Sequence, residues 1–142
     1  MITTTTIHNL NKYCTKLTKL SILNNTNIKA ASLASLTTTT ILNLGSIRIT
    51  SAALIKLCIG LCCKLRELTM DRCERVTYND IINMLNTCIH LKILNMYTYF
   101  SKNEHRIALI KSLSLTHPYI TFNQELTTQG RGYRVHGTFP PD

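Results

Sequence analysis

Tryptophan is absent from this 142-residue chain, and aromatic residues of all kinds make up 6% of it. A stacking platform for single-stranded nucleic acid needs more rings than that, so the core has to be built from Leu, Ile, Thr and Cys. Acids are scarce as well: 7 Asp and Glu stand against 16 Lys and Arg, a formal charge of +9. That imbalance raises the question of an acidic partner. No long apolar run occurs; the longest, from Ala52 to Cys63, is interrupted by Lys56 and is too short to span a bilayer. The start, Met1 to Ile7, has neither a basic stretch nor an apolar stretch, so no secretory signal is expected. Six cysteines in that setting read as reduced thiols of a cytoplasmic or nuclear protein. A chain this long buries roughly 70% of its surface on folding, and 44% hydrophobic with 16% charged residues suits a folded domain.

A repeat organises what is present. Apolar pairs of the form L-x-L occur at Leu20-Ser-Ile22, Leu42-Asn-Leu44, Leu68-Thr-Met70, Leu94-Asn-Met96 and Ile120-Thr-Phe122, spaced by 22, 26, 26 and 26 residues. Another apolar anchor stands three residues ahead at Leu17, Leu65 and Leu91, whereas the equivalent positions are Thr39 and His117 in the second and last copies. Three residues further back, Cys14, Cys62 and Cys88 share one position. The alternating pairs predict short half-buried strands. Between them the period turns helical: Leu54, Leu57, Cys58 and Leu61 share one face, as do Ile81, Met84, Leu85 and Cys88, and Leu109, Ile110, Leu113 and Ser114. Thr50, Thr77 and Ser101 are the expected N-caps. Thr77 carries Asp80 three residues on, close to a capping box. Ile7, Leu10 and Cys14 predict an opening helix from an incomplete unit. Neither strand nor helix can bury its apolar face alone, so units must stack, strands parallel on the inside of a curve and helices outside. The expected fold is α/β, a solenoid of about five repeats.

The run Cys62-Cys-Lys-Leu65-Arg-Glu-Leu68-Thr-Met70-Asp-Arg-Cys73-Glu-Arg-Val76-Thr77, continued by Ile81, Ile82, Leu85 and Cys88, resembles a cysteine-containing leucine-rich repeat. The pattern is similar to the C-terminal repeats of F-box/LRR proteins, the substrate receptors of cullin–RING ubiquitin ligases. Asn25, Ile47 and Tyr99 replace the residue equivalent to Cys73 in the looser copies. The resemblance implies substrate recognition, with the shared cysteine packed at a helix end as a small hydrophobe. No F-box stands ahead of the first repeat, so a ligase role is expected only through a missing F-box or another subunit. A fragment, a truncated relative and an LRR-only protein are the other readings.

The solenoid is expected over residues 1–123 and a tail over 124–142, where Gly130-Arg-Gly132 and Pro140-Pro141 break any period. Tyr133-Arg-Val135 and Thr138-Phe139 have strand character, which leaves two readings: a tail folding back over the inner strands, as in some F-box/LRR relatives, or a frayed end.

No catalytic constellation is expected. Cys58, Cys62 and Cys63 lie close in sequence but on or beside an apolar helix face, which reads as structural thiols and not a metal site. His8, His90, His105, His117 and His136 are scattered, and Gly130-x-Gly132 lacks the strand–helix context of a phosphate loop. The chain is read as a non-enzyme without cofactor or metal.

Partner binding is expected on the inner strip. It presents Lys19, Asn43, Glu67, Thr69, Asp71, Asn95 and Asn123, with Tyr97 and Tyr119 as aromatic anchors. Among the cations, Lys64, Arg66, Arg72, Arg75, Lys92, Lys102, Arg106 and Lys111 fall on turns and outer helix faces and read as a dispersed, solvated set. The expected function is a non-catalytic protein-interaction module taking a protein target on the concave face, with no membrane partner. The alternative is an LRR-only scaffold or nucleic-acid-associated protein using a basic turn edge, where Arg48, Arg72 and Arg75 align. Apolar edges on an uncapped first repeat predict dimerisation or poor solubility.

Overall fold

Two apolar periods alternate along the chain, and two kinds of element alternate with them. The computed structural model describes residues 2–23, 28–45, 49–71, 76–97, 105–128 and 131–136. The first four L-x-L pairs fall in five-residue strands: β1 (Lys19–Leu23), β2 (Ile41–Gly45), β3 (Glu67–Asp71) and β4 (Ile93–Tyr97). The helical stretches become α1 (Thr4–Tyr13), α2 (Ser51–Leu61), α3 (Tyr78–Thr87) and α4 (His105–Thr116). Two strands, β5 (Thr121–Thr128) and β6 (Arg131–His136), complete the set. Between β1 and β2 the shortest spacing leaves room only for a 3-10 helix, Ala30–Ser35, a more tightly wound element than an α-helix. Thr50 and Thr77 cap α2 and α3, their hydroxyls accepting the N–H groups of Ala53 and Asp80 at 3.2 Å. Thr3 does the same for α1, and Ser101 lies outside the described residues.

All six strands form one sheet in chain order, the first five parallel and β6 antiparallel to β5. Leu20, Leu42, Leu68 and Leu94 are direct neighbours across it, as the 22- and 26-residue spacings require. The last rung departs from expectation. Leu94 pairs with Phe122 and not with Ile120, because α4 has 12 residues where α3 has 10 and so delivers β5 late. His117 accordingly takes the place of Cys88, not of Leu91: its N–H donates to Leu113 O as the Cys88 N–H donates to Met84 O, both at 2.8 Å.

One face of the sheet carries the core. Ile22, Leu42, Leu44, Leu68, Met70, Leu94, Met96 and Phe122 are buried in one cluster with Leu54, Leu57 and Leu61 of α2 and Ile81, Met84 and Leu85 of α3. Thr39, standing where other units have leucine, is fully buried with an unpartnered hydroxyl. Among the described residues no helix is long and apolar enough to cross a membrane.

The boundary expected after Asn123 falls inside β5, which runs on to Thr128. Tyr133-Arg-Val135 is indeed in a strand, but β6 joins the sheet at its edge, from Asn123↔His136 to Thr128↔Arg131. The exposed edge of β5 is the nearest row of unpaired backbone donors and acceptors, and β6 satisfies it. Thr138 and Phe139 lie outside the described residues.

Two contacts tie the helices together. At Gly60 a Cβ would stand 2.4 Å from the Ala34 carbonyl oxygen and 2.8 Å from the Ala34 Cβ, so α2 meets the 3-10 helix through the missing side chain. Gly60→Ala improves helix propensity by about 0.8–1 kcal/mol, but the clash is with backbone and costs about 1–3 kcal/mol. A net loss is expected, read as a lower urea midpoint. At the start of α3, the Asp80 carboxylate accepts from Ser51 Oγ of α2 at 2.6 Å and from the Thr77 N–H at 2.7 Å. These bonds hold the Asp80 carboxyl below its usual range. A lowered folded pKa means the stabilisation is complete above the unfolded value of about 3.9 and fades as pH falls through the folded one. Denaturation midpoints followed from about pH 6 to about pH 2 should therefore fall more steeply for the native chain than for Asp80→Asn.

Candidate interaction surface

Side chains alternate across a strand, so burying Leu42, Leu68 and Leu94 turns their neighbours to the open face. Register then aligns those neighbours in columns. One runs Lys19, Ile41, Glu67, Ile93, Thr121; the next runs Ser21, Asn43, Thr69, Asn95. Exposure falls inward from the sheet edge: Lys19 and Ser21 are exposed on β1, Asn43 and Glu67 half-buried, and Thr69 and Asn95 only 7% and 5% exposed. An interior strand has a neighbour on each side to cover it; β1 has one.

The buried pair is hydrogen-bonded. The Asn95 Nδ2 donates to Thr69 Oγ1 at 2.9 Å and to Glu67 Oε1 at 3.3 Å, linking β3 and β4 on the open face. An amide buried this deeply costs free energy unless paired, and here both donors of its NH₂ have acceptors. Lys19, Asn43, Glu67, Thr69 and Asn95 thus share the face on which the sequence placed them. Asp71, Tyr97 and Asn123 belong to β3, β4 and β5, with side chains outside the described set. Tyr119 is a correction. Because β5 begins at Thr121, Tyr119 lies in the turn ahead of it, 92% exposed and away from the columns.

Cys14, Cys58, Cys62, Cys63 and Cys88 are free, and Cys73 lies outside the described residues. Cys88 is buried and hydrogen-bonded to Cys58; that bond, reinforced by burial, pushes the Cys58 thiol far up. The same bond lowers the Cys88 thiol, with burial acting against it. Cys62 is raised by its bond to Cys63, 3.5 Å away. Cys14 shares the repeat position of Cys88 but is exposed, because its unit lies at the sheet edge. Among the described residues no three His, Cys, Asp or Glu side chains converge as metal ligands.

A second surface escaped the sequence reading, which took the cations as dispersed. Arg66 and Lys92 are cross-strand neighbours, the Lys92 N–H donating to the Arg66 carbonyl at 2.8 Å. Their separation by one repeat length was the available signal. Arg48, Arg72 and Arg75, which the sequence reading aligned along a turn edge, lie outside the described residues. No protein-family model matches the chain, and no curated protein does.

Proposed function

We propose that the chain is a non-catalytic protein-interaction module: a leucine-rich-repeat solenoid of about five units that takes a protein target on its open strand face. The reading extends to substrate recognition similar to that of F-box/LRR receptors, in the cytoplasm or nucleus, with an F-box or another subunit supplying any link to a ubiquitin ligase. Stacked units present such a face at fixed spacing, and the aligned columns of β1 to β4 support that architecture.

The observation that carries the reading is the Glu67–Asn95–Thr69 network. A merely solvated face has no need to bury an amide and hold a carboxylate beside it. Side chains already held in place lose less conformational freedom when a partner arrives. Glu67 supplies a negative group within a basic molecule, which selects a partner by charge.

The test is direct binding. Proteins retained by the immobilised chain are identified, and each pair is rebuilt from purified components. Glu67→Arg should weaken the rebuilt pair by about tenfold or more, the effect of a residue central to an interface. Asn95→Ala should weaken it in the same direction, with far-UV circular dichroism unchanged in both variants. Retention of full affinity by both variants rejects this face as the site.

A further inference from the structure

At the edge where the chain enters the strands, Arg66 precedes β3 and Lys92 precedes β4 by one residue, joined through the backbone bond described above. Neighbouring strands stand about 4.8 Å apart, so two cations leave the backbone side by side. Like charges directly opposite one another destabilise a sheet. Among the described residues no ion pair relieves this one: Arg66 and Lys92 are exposed, and Glu67, the nearest acid in sequence, is engaged by Asn95. His90 adds a third nitrogen donor. Together with Ile89, Leu91 and Tyr119 these residues line a groove of about 490 Å³ that has no carboxylate among its described lining residues. Its rim is apolar and open to solvent, with Ile89 72% and Tyr119 92% exposed.

We propose that this groove docks a phosphorylated side chain of a protein partner. The phosphate sits between Arg66 and Lys92 with His90 beside it, and the flanking part of the peptide lies against Ile89 and Tyr119. A guanidinium offers forked N–H donors that match phosphate oxygens, and an ammonium adds a point charge. The phosphate also removes the repulsion between the two cations. A nucleic-acid backbone fits less well. It needs cations continuing along the row, and the positions preceding β1, β2 and β5 are Thr18, Thr40 and Ile120. The positive charge is local to two adjacent strands, which suits one compact dianion. The site is separate from the open face and does not depend on the reading given to that face.

The full chain is titrated with phenyl phosphate and followed by amide NMR. It is then incubated with a degenerate peptide library built around a central phosphotyrosine, beside the same library unphosphorylated. Saturable shifts centred on Arg66, His90, Lys92 and Tyr119 are expected, and only the phosphorylated library is retained. Arg66→Ala and Lys92→Ala should each weaken binding about tenfold, as loss of a charged hydrogen bond does. Tyr119→Ala should weaken phenyl phosphate and leave inorganic phosphate unchanged. Equal retention of the two libraries, or shifts that do not saturate, overturns the proposal. So does a single-stranded RNA homopolymer that displaces the phosphopeptides with a steep salt dependence.

Discussion

Backbone hydrogen bonding between parallel strands only five residues long is the constraint on which the remainder of the molecule depends. Such strands cannot satisfy their own donors and acceptors, and each does so by repeating one contact. Ile41, Glu67, Ile93 and Thr121 all donate to the carbonyl of a residue just ahead of the preceding strand: Thr18, Thr40, Arg66 and Lys92. A slip of one residue would turn Leu42, Leu68 and Leu94 out of the core and bring polar neighbours in. Register, core and surface are therefore one decision. The helices follow from it, since their apolar faces have only that buried side of the sheet to cover.

The same ladder creates both surfaces discussed above. On the open face it brings Thr69 and Asn95 into direct opposition and puts Glu67 within reach of the Asn95 amide. At the strand entry it does something less favourable, setting Arg66 beside Lys92. The first arrangement satisfies its own polar groups; the second leaves its charges to solvent or to a ligand. That contrast gives the two surfaces different chemistry. It also explains why a net charge of +9 says little by itself. What matters is which cations the register makes neighbours, as it does Arg66 and Lys92.

Much of the fold was legible in the sequence where the repeat is regular. Leu68 and Leu94, 26 residues apart, pair as the period demands, and Thr50 and Thr77 cap the helices that follow them. Legibility failed where length changed. Ile120 looks like the next leucine of the series, but the longer α4 puts Phe122 on the rung and carries Tyr119 off the open face. An L-x-L pair has the same appearance in either register when both its residues are apolar, and only the pairing strand decides between them. The tail misled for a related reason. Its glycines broke the period, and nothing local announces that Arg131–His136 will complete an edge offered by β5. Gly60 was unreadable too: within an apolar helix it gives no sign that Ala34 will press against it.

The chain's order of apolar and capping residues alone determined the alternation of strand and helix, the face each strand buries and the helix starts, because those depend on neighbours a few positions away; the shared cysteine position it did not decide, since Cys88 is buried and Cys14 exposed. Tertiary structure decided the rest: the final rung, the edge strand, the depth at which Asn95 lies, and the pairing of two cations drawn from different repeats. The edge strand apart, each of these turns on the distance between residues more than twenty positions apart, and that distance is set by the helix lengths and the packing between them, not by the pattern within any one unit.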